Sequence, residues 1–536
     1  MEPENEDGNN EYKLKLLNVT AEKIEKITTQ MRYRCEQGNG ECIYTLGVED
    51  DGTMSGITNE EYEETLNNIK RSVINNNYSI QFISEYLQDN NKKVYELLIR
   101  EKNDNSYINI KVAIAGSIDV GKSSILGTLI SGEKDNGRGS SRLAVFNYAH
   151  EVKTGRTSSI AHHIIGFDDK GDIVNGRGIA KLSWTEIVKS SSKIISFLDL
   201  AGHEKYLKTT IFGLTASFPD ICAILVGANR GVLKMTKEHI FLCISLGIPF
   251  IIIVSKIDMV NDKKNILEET INSINKILKA PGIRRIPLKI QSREDVIISA
   301  KNIYTQSIVP IVMTSSVTGE GMDNLKLFLN LVGKKPVTQN NDNNKVEYYI
   351  DCIFNVEGIG IVTGGNLISG TIHVGDKLLI GPTNNTYEQV TIRSIHCKRT
   401  PVQQVSHGSY VCFGLSKIDR KMVRRGAVII SPNNNPILCK RFKAEINILR
   451  THSTTIKPGY QPVMHCCAIR QSTTIKKIIS KKNYKQPELT IEDDILRNGD
   501  SALVEMEFAN RHEYIKPGMK ILLCEGMTKV VGIVVE

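Results

Sequence analysis

Residues 116–123 read Gly-Ser-Ile-Asp-Val-Gly-Lys-Ser, and they lie between an alternating β-branched run, Ile108 to Ala115, and a helical stretch, Ser123 to Ile130. Nothing else in the chain restricts its fold so tightly. A strand that enters a glycine-rich turn and leaves it through a helix N-terminus forms a cradle of backbone N–H groups with partial positive charge, suited to phosphates. Such a cradle belongs to a parallel α/β sheet. The pattern G-x-x-x-x-G-K-[ST] assigns Gly116, Ser117, Ile118, Asp119, Val120, Gly121, Lys122, Ser123 and Ser124 to phosphate binding. Lys122 is expected to reach the β- and γ-phosphates, and the Ser123 hydroxyl to ligate Mg²⁺.

Three further motifs follow, each after an apolar run. Lys193 to Leu198 leads into Asp199-Leu200-Ala201-Gly202-His203. An Asp at a strand end can hold Mg²⁺ through water, while the amide of Gly202 meets a γ-phosphate. Pro249 to Val254 leads into Ser255-Lys256-Ile257-Asp258. The Asp258 carboxylate can accept from both N1–H and N2–H of guanine, a donor pair that adenine lacks, and the Lys256 stem can lie over the base. Val309 to Thr314 leads into Ser315-Ser316-Val317-Thr318-Gly319, whose backbone suits the guanine O6. Each motif alone is weak. Four in this order select GTP, with Ser255, Lys256, Asp258, Ser315 and Ser316 on the guanine side.

The set resembles the translational GTPases related to elongation factor Tu. Asp199 to His203 is similar to their Asp-x-Pro-Gly-His with Ala201 in place of Pro, and Thr236-Lys237-Glu238-His239 to their Thr-x-Glu-His. Within that superfamily the likeness is to the eukaryotic GTP-binding-protein-one/two family. It is carried by Arg34 to Glu41, Asp135 to Gly139, Gly155 to Ser159, Leu200 to Leu207 and Ser255 to Asp258, and it extends from about residue 30 to the C-terminus. Two positions depart from the wider pattern. Ser255 stands where Asn is usual, and its shorter side chain is expected not to bridge base and P-loop. Ser316 replaces Ala.

The resemblance implies GTP hydrolysis to GDP and phosphate, with His203 orienting the attacking water. It makes Ser159 the switch hydroxyl on Mg²⁺ alongside Ser123 and Asp199, with Thr157 two residues away as the rival. Of the two apolar residues that flank the histidine in relatives, Ile118 matches one and Ser158 stands at the other. For Asp119 it leaves two roles, helping to hold a monovalent cation or bracing switch I. Implied partners are GTP and GDP, the ribosome, tRNA or other RNA, and RNA-decay proteins. The alternative is a GTP-dependent adaptor for RNA-decay machinery that the ribosome does not activate.

Length and charge set the organisation. The expected fold is an α/β P-loop GTPase domain with a doubly wound, mostly parallel sheet, preceded by a small α+β module and followed by two all-β barrels. The divisions are a disordered acidic tail over 1–18, the α+β module over 19–105, the GTP-binding domain over 106–335, a linker over 336–344, and barrels over 345–436 and 437–536. Gly132 to Ile160 is a long polar connection corresponding to switch I. Residues 1–105 carry 12 basic and 21 acidic side chains, residues 106–344 carry 30 and 21, and residues 345–536 carry 26 and 17. The two basic parts favour nucleic acid. The densest basic run, Lys476-Lys477 to Lys481-Lys482 with Tyr484 and Lys485, is expected as a mobile loop and an RNA contact. Eleven cysteines without a C-x-x-C pair, no apolar run of membrane length and no leader pattern at the N-terminus fit a cytoplasmic protein away from membranes.

Overall fold

The computed structural model describes residues 3–4, 8–74, 77–88, 91–101, 107–146, 151, 160–176, 182–280, 282–335, 345–416, 418–449, 455–483, 486–490, 495–525 and 527–536. The chain begins with β1 (Asn10–Lys13), α1 (Ala21–Gln37), β2 (Glu41–Leu46), α2 (Asn59–Ile74), β3 (Tyr78–Leu87) and β4 (Lys93–Glu101). These four strands form one sheet in the order β1-β2-β4-β3, with α1 and α2 packed on it. The expectation of a disordered tail over 1–18 does not hold for residues 8–18. Asn10 to Lys13 pairs in parallel with Ile43 to Leu46. Glu11 is fully buried against Arg34, whose Nε donates to Glu11 Oε2 at 2.6 Å, and Leu16 enters the core.

The α/β domain follows: β5 (Ile108–Gly116), α3 (Lys122–Ser131), β6 (Ala161–Phe167), α4 (Trp184–Ser190), β7 (Lys193–Asp199), α5 (Leu207–Ala216), β8 (Ile221–Gly227), α6 (Lys234–Leu246), β9 (Phe250–Ser255), α7 (Lys264–Leu278), β10 (Ile286–Lys289), α8 (Arg293–Asn302), β11 (Ile308–Met313) and α9 (Met322–Leu331). The sheet order is β10-β11-β9-β8-β5-β7-β6. All neighbours are parallel except β6, which runs antiparallel to β7 at the edge. Both faces are covered, which explains near-continuous apolar strands such as β8 and β9. β5 divides its side chains by alternation. Ile110, Val112 and Ile114 enter one core, while Ala113 and Ala115 enter the other. All five central parallel strands end on the same side, and that edge carries the motifs.

Two closed antiparallel barrels complete the chain. In the first, a sheet of strands from Glu347 to Ile430 closes by pairing 377–383 with 386–397. In the second, strands from Arg441 to Val534 close by pairing 463–466 with 469–483. The basic run at 476–482 is therefore not a loop. Lys476, Lys477 and Lys481 lie within a 15-residue strand, Ile469–Asn483. Lys476 pairs with Glu507 at 3.2 Å, and the buried Lys481 pairs with Asp500 at 3.2 Å. Ile475 and Ile478 on the same strand, three residues apart across a register shift between Ile475 and Lys477, both feed the barrel core and hold it in place. Tyr484 and Lys485 lie outside the described residues.

A buried ionic junction joins the first module to the α/β domain. Lys193, at the start of β7, donates from Nζ to Glu41 Oε1 at 2.8 Å and to the carbonyls of Asn330 and Val332 at 2.7 and 2.5 Å. Arg100 donates to Glu41 Oε2 at 3.0 Å, to Asn330 Oδ1 at 3.0 Å and to the Asp168 carbonyl at 3.2 Å. All three charged side chains are at most 1% exposed. Ile43, Ile83 and Leu98 of the first module share one core with β5 and α9. The module is part of the domain's amino-end wall.

Candidate functional site

At the opposite, carboxyl edge of the sheet a cavity of about 440 Å³ collects the motifs. Ile118, Asp119, Gly121, Lys122, Ser123, Ser124, Gly202, His203, Ser255, Lys256, Asp258 and Ser316 line it. Gly116, Ser117, Val120, Asp199 and Ser315 stand just behind, all buried. Ser159 and Thr157, the two readings for the switch hydroxyl, lie outside the described residues, as does Ser158.

The turn geometry depends on glycine at two places. Gly121 has φ +89° where it caps α3. Gly202 has no room for a Cβ, which would meet Lys122 Nζ and come within 2.6 and 2.8 Å of the Gly116 and Ser117 carbonyls. Lys122 Nζ donates to those same carbonyls at 3.0 and 2.8 Å. Burial pushes its pKa down to about 8, although Asp199 and Asp119 oppose the fall. The ammonium is thus held close by neutral oxygens beside a cavity that has room for a stronger anion.

At the floor, the Ser123 hydroxyl donates to Asp199 Oδ2 at 3.5 Å. One hydroxyl and one carboxylate are hard oxygen donors that fit Mg²⁺, an ion that usually takes its remaining ligands from water and phosphate. Among the described residues no cluster of three or more His, Cys, Asp or Glu could hold a metal alone. His203 borders this end. It caps the short turn Glu204–Tyr206, with Nδ1 accepting the Lys205 N–H at 3.0 Å. The Thr236–His239 segment lies in α6 behind the P-loop, with the Thr236 and Ser117 hydroxyls 3.4 Å apart.

At the other end, Asp258 accepts from the Ser315 hydroxyl at 2.5 Å, which ties the two guanine motifs together. Ser315 Oγ in turn accepts the N–H groups of Val317 and Thr318 at 3.2 and 3.1 Å. Ser255 is the surprise. Its hydroxyl donates to the Val120 carbonyl of the P-loop at 2.5 Å, so the short side chain does reach the loop from the guanine strand. Burial draws the Lys256 ammonium down from its ordinary value, and Arg230 and Arg142 add to the fall against the pull of Asp119.

Three residues escaped the motifs. Asp135 donates its N–H to the Ser316 carbonyl at 2.9 Å. Arg142 lines the cavity from the same segment. Arg230, in the turn after β8, lines it too and pairs with Asp119 at 3.5 Å. The only hint was the Asp135–Gly139 run, which carried resemblance without a role.

Profiles of known families fit this arrangement. The elongation factor Tu GTP binding domain matches residues 108–337, elongation factor Tu domain 2 matches residues 360–430, and the GTP-eEF1A C-terminal domain-like profile matches residues 441–513. GTP-binding protein 1 of Xenopus laevis is 40% identical over 529 residues, spanning 98% of this chain and 78% of its own. GTP-binding protein 2 of Homo sapiens is 39% identical over 546 residues, spanning 100% of this chain and 88% of its own. In fold, the bacterial selenocysteine-specific elongation factor EF-Sec superposes with a TM-score of 0.55 at 19% identity, over 80% of this chain and 58% of that factor. A P-loop domain with two barrels behind it, and identity running almost end to end with the first two relatives, leave one assignment. The chain belongs to the GTP-binding protein 1/2 family of elongation-factor-Tu-like translational GTPases and is a GTP hydrolase.

Proposed function

We propose that the protein is a GTP-driven factor that acts with the ribosome and RNA in the cytoplasm, hydrolysing GTP in the cavity at the carboxyl edge of the sheet. The observation that supports this most is His203 at the Lys122–Asp199 end of a cavity whose other end holds Asp258. The backbone of residues 116–124 and the Lys122 ammonium bind the phosphates and offset their charge. The Gly202 N–H faces the γ-phosphate. Asp258 accepts from the guanine edge while Lys256 covers its face, and Ser255, Ser315 and Ser316 hold the guanine loops to the P-loop.

His203 positions a water in line with the β–γ bond. A bond forms from the water oxygen to the γ-phosphorus, and the bond to the bridging oxygen breaks. The electron pair leaves with GDP and the proton of water goes to phosphate. Ser123, Asp199 and Ser159 would hold Mg²⁺, which when bound neutralises the phosphate oxygens. Asp119 would help to hold a monovalent cation or brace switch I, and Arg230 pairs with it at 3.5 Å. Hydrolysis would loosen the switches and change how the barrels sit on the α/β domain, releasing an RNA or protein partner.

GTP turnover measured with and without ribosomes, for wild type and His203→Ala, tests this. Ribosome stimulation reduced by about 100-fold or more in the variant is the expected result. Turnover that ignores ribosomes would replace this reading with the GTP-dependent adaptor for RNA-decay proteins.

A further inference from the structure

One wall of the cavity comes from a flap that no motif foretold. Residues 133–144 run back from the end of α3 across the guanine side. Asp135 fastens one end through its N–H to the Ser316 carbonyl at 2.9 Å. The Ser141 hydroxyl fastens the other, donating to the Ser124 carbonyl at 3.1 Å and to Asp135 Oδ2 at 2.5 Å. Asp135 Oδ1 accepts the N–H groups of Gly137 and Gly139 at 2.8 and 2.9 Å. Burial alone would raise the Asp135 carboxyl, but the Ser141 hydroxyl and the Gly139 and Gly137 N–H groups outweigh it and hold the group below its ordinary range. The flap is therefore folded in advance, pinned to the P-loop helix on one side and to the guanine loop on the other.

Its cargo is Arg142. The Nε–Nη2 edge of the guanidinium lies against Gly139, where an added Cβ would meet Nη2, Nε and Cζ. Arg142 lines the cavity together with Lys256, its Nε–Nη2 edge held by the flap itself. Its Nη2 reaches the Arg138 carbonyl at only 3.4 Å, and its Nε is buried without a hydrogen-bond partner among the described residues. A partly buried cation held beside a second cation is unfavourable unless a ligand between them offsets the repulsion.

We propose that Arg142 is a nucleotide-binding residue whose guanidinium packs on the guanosine half of bound GDP and GTP, facing Lys256 across the purine. A planar, weakly hydrated cation suits an aromatic face better than an ammonium does. Although it lies in the 132–160 connection, the flap is tied to Ser316 and Ser124 rather than to the His203 end, so the contact is proposed for GDP and GTP alike, in the part of switch I that hydrolysis leaves in place. The proposal rests on the cavity being the guanine-nucleotide site.

Isothermal titration of unlabelled GDP and GTP into wild type, Arg142→Ala, Arg142→Lys and Arg138→Ala tests it. Arg138 is on the same flap but exposed and away from the cavity lining. Arg142→Ala should weaken GDP and GTP alike by about tenfold, Arg142→Lys should recover little of it, and Arg138→Ala should match wild type. Affinity within twofold of wild type in Arg142→Ala would overturn the proposal. So would full recovery in Arg142→Lys, which would mean charge on a phosphate, or a loss confined to GTP. Failure of wild type itself to bind GDP would instead remove the guanine-nucleotide reading, and this proposal with it.

Discussion

Strand β7 begins at Lys193 and ends at Asp199, and the two ends of this one strand, roughly 20 Å apart, treat buried charge in opposite ways. At the amino end Lys193 sits with Arg100 on Glu41, and carbonyl oxygens take the remaining donors. At the carboxyl end Lys122 sits beside Asp199 with two backbone carbonyls as its direct partners among the described residues. Burial lowers both lysines to about 8. The same shift therefore has two meanings. A cation whose donors are all met by fixed protein groups cements two parts of the chain. A cation held on neutral oxygens at the wall of a cavity is ready to exchange them for phosphate. The partners, not the pKa, tell structure from function.

Three experiments bear on this contrast. The largest effect is expected at the amino end. Glu41→Ala leaves Arg100 and Lys193 buried without their carboxylate, and denaturant unfolding should show a loss of about 3–5 kcal/mol. GDP affinity of the folded protein should stay as it was. A parallel fall in affinity would mean that the two ends are not independent. Next, Ser255→Ala removes the hydroxyl that ties the guanine strand to the Val120 carbonyl, and GDP affinity should fall by about 1 kcal/mol, roughly fivefold. Unchanged affinity would mean that the P-loop needs no such tie.

The smallest effect is on pH. Phosphates should raise the Lys122 pKa above its free value of about 8, so binding takes up a proton once pH passes that value. GDP affinity should be flat below pH 7 and fall about fourfold from pH 7 to 8.5. Lys193 is shifted as far but touches no ligand, so it contributes nothing to this slope. An affinity that does not change over that range would show that the carbonyl cage keeps Lys122 charged without the nucleotide.

The carboxyl end was legible in the sequence because a phosphate site needs fixed spacing along one turn. Gly116, Gly121, Lys122 and Ser123 can be read as a word, and Asp199 and Asp258 follow at strand ends. The amino end could not be read in this way. Glu41, Arg100, Lys193 and Asn330 come from four separate segments, and only the folded sheet brings them together. The flap lies between these cases. Asp135 to Gly139 stood out as a glycine-rich run, but that its carboxylate folds a loop carrying Arg142 required the backbone. The basic run at 476–482 failed for a third reason. Its lysines suggested a polar loop, whereas Ile475 and Ile478, spaced among them, enter the barrel core and make it a strand.

One feature of His203 limits the chemistry it can perform. Because Nδ1 accepts the Lys205 N–H, the neutral ring must carry its single proton on Nε2. In this conformation the nitrogen left to face a water or a phosphate oxygen is a donor. His203 can then hold an oxygen by giving a hydrogen bond, but it has no free lone pair with which to pull a proton from water. For the side chain to act as a base it would first have to let go of the Lys205 N–H, and with it of the turn Glu204–Tyr206 that it caps.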